Sequence, residues 1–509
     1  MYVRSWSSPA AEGSVGRPSF VADHGLWDEA RTAAAERIEA SLADVDLVRL
    51  VFGDPHGLAR SKTLTAEAFR TVLRNGMNFS PGPFVFDTGH AVAVDFLGEH
   101  GIGVDEIAGA GNFLLVPDPL TFQMLPGHDA RTAWVIGDEY LRDGTPHPLS
   151  SRAVLRRVIE SYTAHRLAPA VGLEVEWYLT RRLDDEPGNT GNGFGLQGRA
   201  PRVQALNAGY QFNLDAHYDT LAPLTDPLAL HLLALGLPLR SMEHESGPGQ
   251  VETTFSPMSA LDAADAMLLF RTLAKSWCAR RGHHASFMSK PLLDAADPSG
   301  WHLNQSVTDL ASGTNLFGTE GPSGGPSPQG KAYAEGLLSY AAELCLLSVP
   351  TVNGYRRLAA EHTLAPTRLG FSQEDRSAML RLVGHGAGAH IENRIGEPCA
   401  NPYLNIAAQL FAGLEGLTAP PAPAGSDATA GTDATAGTDG AGLVPQHLGQ
   451  ALHAFRAGRA ARLLGAPLAA CLAKLKQSEL HRYEAWRLQA APAPGQVTEW
   501  EQREYFGAY

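Results

Sequence analysis

The pattern of apolar and polar positions divides the chain into a tail, a sheet-rich stretch and a longer mixed stretch. Residues 27–43 place apolar side chains at helical spacing and predict a helix, whereas residues 1–25 predict a frayed tail. Apolar runs rich in β-branched residues predict strands at VDLVRLVFGD (from Val45), HAVAVDF (from His90), NFLLVPD (from Asn112) and TAWVIGDEY (from Thr132). We therefore expect a tail and helix in 1–43 and a small sheet-rich domain in 44–145.

Long helices alternate with strands in residues 146–509, which predicts a second, larger domain. The run AVGLEVEWYLT from Ala170 indicates a strand, and the closing VTEWEQREYFGAY indicates an amphipathic helix. Ser150 or Ser151 is suited to cap the first of three predicted helices. These helices are expected at 149–167, 261–282 and 333–348.

Low-complexity and glycine-rich segments are interpreted as loops. The repeats GSDATA, GTDATA and GTDGAG offer only small residues, so 419–444 is expected to be a flexible insert. GPSPQGKA from Gly325 lacks the Ser or Thr of a phosphate-binding loop. GPSGG from Gly321 is not at a strand-to-helix turn, and GFGLQG from Gly193 precedes no predicted helix. With 53 glycines in the chain, all three are expected by chance.

Composition and charge act mainly by exclusion. The chain has 40 Lys and Arg against 54 Asp and Glu, a net charge of −14, which disfavours nucleic acid or an anionic membrane as the main partner. Four cysteines without a CxxC spacing indicate neither a disulfide scaffold nor a zinc ribbon. The N-terminus shows no apolar signal segment, and the apolar stretch 228–239 is too short to span a bilayer. We expect a cytoplasmic protein.

Acidic side chains share one face of a predicted strand. In GLEVEWY, Glu174, Glu176 and Tyr178 point to one side, because side chains alternate along a strand. Two neighbouring carboxylates repel unless the face is solvated or holds cations. A half-exposed strand with its polar side in water is therefore an alternative interpretation of this motif alone.

Further acids and one imidazole lie in other polar, glycine-punctuated segments. Glu245 and Glu252 flank a Gly-Pro-Gly turn, with Gln250 between them. His302 lies in a polar strand, and Glu392 and Arg394 are two positions apart, which places them on one face of a strand. Five carboxylates and one imidazole suit hard cations such as magnesium or manganese.

The chain resembles the glutamine synthetase family through ordered blocks. They are FGDPHGLARSKTL, VPDPLTFQMLPG, GLEVEWYL, ESGPGQVE, FMSKPL followed by SGWH, PTVNGYRRL, EDRSAMLRL, IENRIGEPCANPYLNIAAQLFAGLEGL and TEWEQREYF. The resemblance runs from about residue 44 to the C-terminus, except for the insert. It implies an α+β fold, with a small β-grasp domain and a large catalytic domain whose antiparallel sheet, or half-barrel, is flanked by helices. It also implies a ring-like homo-oligomer with active sites between subunits.

The resemblance implies a role for each matched residue. One magnesium or manganese ion would be held by Glu176, Glu245 and Glu252 against the amino-acid substrate, and a second by Glu174, His302 and Glu392 against the phosphates of ATP. Catalytic roles fall to Arg357, Arg376 and Arg394, and nucleotide contacts to Arg376, Arg381, Asn304 and Ser306. Substrate contacts fall to Arg357, Arg394, Gly300 and Leu364. The implied reaction uses ATP to phosphorylate the γ-carboxylate of glutamate, after which an amine displaces the phosphate.

The chain departs from ammonia-using members at the amine side. Their Pro-Gly-Tyr-Glu carries an acid for ammonium, and Leu364 falls at that position here; MNFSPGPF (Met77–Phe84) replaces the acidic N-terminal loop. An amine that is neutral at pH 7 needs no such acid, so Leu364, with Phe79 or Phe84 nearby, favours an apolar or aromatic amine. A short loop shift could instead bring Glu361 or His362 to the same place.

Two further departures concern the amino-acid and nucleotide contacts. Asn304 stands where the family often has a second histidine, and Pro298 replaces a glycine that contacts glutamate. The favoured hypothesis is an ATP-dependent ligase that makes γ-glutamylamides from an organic primary amine, such as an arylamine. The alternatives are glutamine synthetase proper, a γ-glutamylpolyamine synthetase, or a non-catalytic assembly protein that retains the fold.

Overall fold

Two compact units make up the chain. A computed structural model describes residues 19–183, 193–319, 324–358, 364–366, 368–420 and 442–509. The smaller unit comprises Met1–Val51, Ser61–Phe79 and Phe113–Pro146. The larger unit comprises Phe52–Arg60, Ser80–Asn112 and His147–Tyr509.

The strands form two sheets. The first contains β1 (Leu47–Gly53), β2 (Ala59–Thr65), β3 (Met77–Phe79), β4 (Phe113–Pro117), β5 (Gln123–Met124) and β6 (Thr132–Tyr140). The second contains β7 (Leu167–Arg182), β8 (Val203–Ala205), β9 (Leu239–His244), β10 (Gln250–Phe255), β11 (Met258–Ser259), β12 (His283–Ser286), β13 (Trp301–Asp309), β14 (Phe371–Gln373), β15 (Leu380–Val383) and β16 (His390–Asn393).

The described part of the chain contains fourteen α-helices. They are α1 (Phe20–His24), α2 (Glu29–Ser41), α3 (Ala66–Asn75), α4 (Gly82–Val85), α5 (Ser151–Ala164), α6 (Asp215–Ala234), α7 (Ala260–Ala279), α8 (Pro328–Ser348), α9 (Gly354–Leu358), α10 (Pro402–Thr418), α11 (Leu448–Ala457), α12 (Ala460–Leu464), α13 (Ala466–Ala490) and α14 (Glu499–Glu501). None of the described helices is long and apolar enough to cross a membrane.

The small sheet has the order β2-β1-β6-β4-β3, with β5 added to β6. Its central pair β1 and β6 is parallel, with Leu47 opposite Thr132, whereas β4 runs antiparallel to both β3 and β6. The large sheet has the order β14-β15-β16-β13-β7-β10-β9, and β8, β11 and β12 also pair with β7. This mixture of sheets and helices confirms the predicted α+β class.

Strand β7 is the centre of the large sheet because five other described strands pair with it, and it has one apolar and one polar face. Leu173, Val175 and Trp177 are buried, and the Trp177 ring lies 5.8 Å from Phe287 and 6.1 Å from Phe270 of α7, centroid to centroid. Alternation therefore directs Glu174 and Glu176 to the opposite face. This arrangement anchors the polar face on a packed core.

Most of the predicted helices and strands are confirmed, because the residues that cap helices lie where the apolar spacing predicts the helices to begin. The Ser150 side chain accepts a hydrogen bond from the Ala153 amide at the start of α5, and Asp28 caps α2 in the same way. The strand predicted at HAVAVDF is wrong. Only Val92 forms a β-bridge there, because the Asp87 side chain accepts backbone hydrogen bonds from Gly89 and Ala91 and closes a turn.

The predicted tail and insert lie mostly outside the described residues. Of the predicted frayed segment, Phe20–His24 forms α1 instead, capped by Ser19. Residues 421–441 of the predicted 419–444 insert and residues 1–18 of the tail lie outside the described part of the chain. The division into 1–43, 44–145 and 146–509 stays a prediction. Phe52–Arg60 groups with the larger unit because Asn401 donates hydrogen bonds to the carbonyls of Asp54 and Pro55.

Candidate active site

Strand register brings the predicted acidic residues to one face of the large sheet. Glu174 on β7 lies directly opposite His302 on β13, and Glu176 lies opposite Glu252 on β10. Glu392 on β16 lies opposite Asn304. Because directly paired residues share a face, segments far apart in sequence present their polar side chains together.

Glu174, His302 and Glu392 form a compact group with the chemistry of a cation site. His302 Nδ1 lies 2.8 Å from Glu174 Oε1 and 3.4 Å from Glu392 Oε1. One ligand atom from each residue lies within 4.8 Å of the others, and within the described residues no other group of acidic, histidine or cysteine side chains meets this distance. The structure thus brings the predicted second set together.

Glu176, Glu245 and Glu252 gather on the same face with their charges unbalanced. Burial, and after it the charge of Glu176, raises the pKa of Glu245 to about 8. Burial, together with Glu174 and Glu176, raises the pKa of Glu252 well above its usual value. Burial also raises the pKa of Glu176, although His302 and Arg357 oppose the rise. Ionising these half-buried carboxyl groups together would place like charges side by side, and a divalent cation would relieve that repulsion.

Cation binding at this face should release protons. Without a cation, Glu245 and Glu252 hold protons near neutral pH, and these protons must leave before the oxygens can ligate. We expect up to about two protons released for each magnesium bound near pH 7, and an affinity that rises with pH. Calorimetry in buffers of different ionisation enthalpy measures this number. A Glu252→Gln variant should release fewer protons, and magnesium binding that is independent of pH would contradict the prediction.

Three of the four predicted arginines reach the cluster. Arg394 Nη1 lies 2.6 Å from Glu392 Oε1, and Arg381 Nη1 lies 3.0 Å from Glu392 Oε2. Arg357 is buried, and its Nη2 donates to His302 Nε2 at 3.3 Å. Burial lowers the pKa of Arg357 to about 10, so its guanidinium stays charged at neutral pH. The site therefore pairs its acids with guanidinium groups suited to phosphate and carboxylate oxygens.

Arg376 is placed apart from the cluster. It lies in the exposed turn between β14 and β15, and within the described residues no hydrogen bond or ion pair joins it to the acidic face. Its predicted catalytic and nucleotide roles stay predictions.

Gly300 lies where the backbone packs closely against two side chains of the site. Its amide donates to Glu176 Oε2 at 3.0 Å. A Cβ atom at this position would lie 2.7 Å from Arg357 Nη2, so any side chain here would displace the Arg357 guanidinium. Glycine thus lets the Arg357 guanidinium lie directly against the main chain beside Glu176.

A cavity of about 590 Å³ opens beside the compact cation group. Asn304 and Ser306 line it with Glu174, as the predicted nucleotide contacts require. Asn304 Nδ2 also donates to Glu174 Oε2 at 3.3 Å. Burial would raise the pKa of Glu174, but His302 and Asn304 outweigh it and hold the carboxylate ionised.

The sequence did not identify several residues that line this cavity, among them Arg240, Ser241 and His390. Arg240 and Ser241 lie on β9, and they reach the cavity only because β9 pairs with β10. His390 had a usable signal, because it precedes Glu392 by two positions and so shares its face.

Of the residues predicted to lie near the amine, Leu364 is exposed, whereas Phe79 and Phe84 are buried. The Leu364 carbonyl accepts a hydrogen bond from Arg394 Nη2 at 3.5 Å, and the residue as a whole is 58% exposed. Phe84 is fully buried and stacks on His147, and Phe79 stacks on Phe113, so core packing withholds both rings from an amine. Glu361 and His362 lie outside the described residues.

Comparison with known proteins agrees with this geometry. The family described as "Glutamine synthetase, catalytic domain" matches residues 148–505. A gamma-glutamylanilide synthase from an Acinetobacter species is 36% identical over 96% of this chain and 98% of its own. A glutamine synthetase from Methanosarcina mazei is 30% identical over 74% of this chain and 76% of its own.

A solved structure described as a GmaS/ADP complex has 26% identity and a TM-score of 0.69, covering 92% of this chain and 98% of its own. The family match spans well over half of the sequence. The chain therefore belongs to the glutamine synthetase family of ligases.

Proposed function

We propose that the chain is an ATP-dependent ligase that joins the γ-carboxylate of glutamate to an organic primary amine, with an aromatic amine favoured. The products would be a γ-glutamylamide, ADP and phosphate. The observation that carries the amine class is Leu364, an exposed apolar residue whose carbonyl contacts Arg394 where ammonia-using members carry an acid. The relative named gamma-glutamylanilide synthase, which aligns along nearly the whole chain, supports the same class.

Two or more magnesium or manganese ions would be needed. Glu176, Glu245 and Glu252 would hold one ion, and Glu174, His302 and Glu392 another, which the donor set and the repulsion among the acids support. When bound, such ions supply positive charge that offsets the negative charge of ATP phosphates and of the glutamate carboxylate.

The chain's own residues would position the reactants. Arg357 and Arg394 present buried guanidinium groups to the glutamate and its phosphorylated carboxylate, and Arg376 and Arg381 would contact phosphate oxygens. The cavity lined by Asn304 and Ser306 would hold the nucleoside. Catalysis would then rest on orientation and charge stabilisation of the phosphoryl group.

The amine side explains the preference among nucleophiles. Ammonium is cationic at neutral pH and must lose a proton before attack, which an acid in the site assists. An arylamine is already neutral and is held by apolar contact, whereas a polyamine needs acidic walls. Within the described residues, the Leu364 position offers apolar surface.

An amine panel tests this proposal. The kcat/KM for ADP release should be higher with aniline-type amines than with ammonia, ethanolamine or a diamine, each with glutamate, ATP and magnesium. Glutamine synthetase proper is the second candidate, supported by the Methanosarcina mazei relative. Ammonia outperforming every organic amine would favour it and reject the proposal.

The assembly and location follow as further proposals. A ring-like homo-oligomer with active sites between subunits is the assembly that the match to the glutamine synthetase family supports. A cytoplasmic setting is supported by the four cysteines, which are all buried and unpaired. The complete set of acidic ligands argues against a non-catalytic assembly protein.

A further inference from the structure

A buried glutamine lies under the acidic face and has no role in the proposal above. Gln250 is the first residue of β10, opposite Tyr178 in the register. It is only 1% exposed. Alternation along β10 turns it to the same side as Glu252, so it faces the carboxylates.

The orientation of the Gln250 amide is fixed by its partners. Its Oε1 accepts a hydrogen bond from the Gly247 amide at 2.8 Å. Because a backbone N–H is a donor, the oxygen of the Gln250 side chain, not its nitrogen, must face Gly247. The Nε2 group is therefore directed to Glu176 Oε2 and to Ser299 Oγ, each at 3.1 Å. The side chain thus connects three segments of chain.

Among the described residues, both hydrogen bonds to the Glu176 carboxylate reach the same oxygen. Glu176 Oε2 accepts from Gln250 Nε2 at 3.1 Å and from the Gly300 amide at 3.0 Å. Its Oε1 is the oxygen that faces His302, 4.0 Å from Nε2. Two donors on one oxygen hold the carboxylate in one rotamer and present the other oxygen to the face where a cation would bind.

The same residue holds the turn that carries Glu245. The Glu245 amide donates to the Gln250 carbonyl at 3.0 Å, and the Gln250 amide donates to the Gly247 carbonyl at 3.1 Å. With its side chain on the Gly247 amide, Gln250 closes the turn from both ends. One buried residue therefore positions two of the three acids proposed for the first cation: its side chain holds Glu176 and the Gly247 amide, and its backbone holds the Glu245 amide.

We infer that Gln250 is a positioning residue for the first cation, which sets Glu176 Oε1 and the Glu245 turn in ligating geometry. This inference rests on the proposed function only in requiring a divalent cation at Glu176, Glu245 and Glu252. Residues behind a metal ligand typically contribute about 10- to 100-fold to metal affinity.

The test is a manganese titration of the whole chain followed by calorimetry and electron paramagnetic resonance, without amine or glutamate. Gln250→Met removes both the donor to Glu176 and the acceptor for Gly247. We expect one class of manganese site to weaken by about 10- to 100-fold, while the class assigned to Glu174, His302 and Glu392 changes less than about threefold. Because no amine is present, this result is independent of the amine panel.

The matched control is Gln204→Met. Gln204 lies on β8, where its exposed side chain bonds Arg181 on the other face of the sheet, and it should leave both classes unchanged. Thermal melting checks folding, and if Gln250→Met does not fold, Gln250→Asn, which keeps an amide but is too short to span both partners, is titrated in its place. Equal affinities in variant and wild type, or equal weakening of both classes in a folded variant, would overturn the inference.

Discussion

Replacing Glu176 by alanine should abolish most ATP-dependent phosphate release. Glu176 is the one acid of the first set whose Oε1 atom is presented by two fixed donors, Gln250 and the Gly300 amide. Without it, the adjacent Arg357 charge and the cation both lose their anionic partner in a buried setting. We expect kcat/KM to fall by at least about two to three orders of magnitude, the range for removing one electrostatic stabiliser of a transition state.

The control for this variant is Glu484→Ala. Glu484 lies on α13 and pairs with Arg487 at the surface, where an ion pair contributes little. Phosphate release and the melting temperature are measured for both variants. Glu176→Ala that melts like the wild type and still releases phosphate at the wild-type rate would show that the cation site has been assigned to the wrong residues.

Replacing Leu364 by glutamate should shift the preference from aromatic amines towards ammonia. The new carboxylate would stand beside the Arg394 contact, where it can attract ammonium and accept its proton. It would also replace the apolar surface offered to an arylamine. We expect the ratio of kcat/KM for ammonia to that for aniline to rise about 10- to 100-fold, as a charged hydrogen bond gained or lost would produce.

Two controls separate charge at this position from general effects. Leu364→Gln adds polarity without charge and should change the ratio little. Leu310→Glu adds the same charge at a leucine of similar exposure, 55% against 58%, in the turn after β13. A ratio that Leu364→Glu leaves unchanged, or that Leu310→Glu raises equally, would remove Leu364 from the amine site.

The sequence predicted the chemistry of the site better than its geometry. Alternation in GLEVEWY placed Glu174 and Glu176 on one face, and the structure has that arrangement because Leu173, Val175 and Trp177 pack into the core. The pairing of β7 with β10 and β13 depends on strand register. No local pattern in the sequence reveals this register. That Glu252 and His302 lie beside the acids of β7 could therefore be predicted only from the family resemblance.

The remaining differences have local physical causes. HAVAVDF has the composition of a strand, but the Asp87 side chain competes for its backbone N–H groups. The sequence predicts Phe79 or Phe84 near the amine, whereas the Phe84 ring is buried in core packing against His147. Gln250 carries no charge, and its position in the sequence between Glu245 and Glu252 indicates no role for it. Its role emerged only from three hydrogen bonds to distant segments.

A competition experiment tests the central claim most directly. The purified protein is incubated with glutamate, ATP, magnesium, and aniline and ammonia together at equal concentrations, and both products are quantified by mass spectrometry. An aromatic-amine ligase should form γ-glutamylanilide in excess over glutamine, with ADP released in step with the amide. Glutamine as the main product would contradict the account and identify the chain as a glutamine synthetase proper.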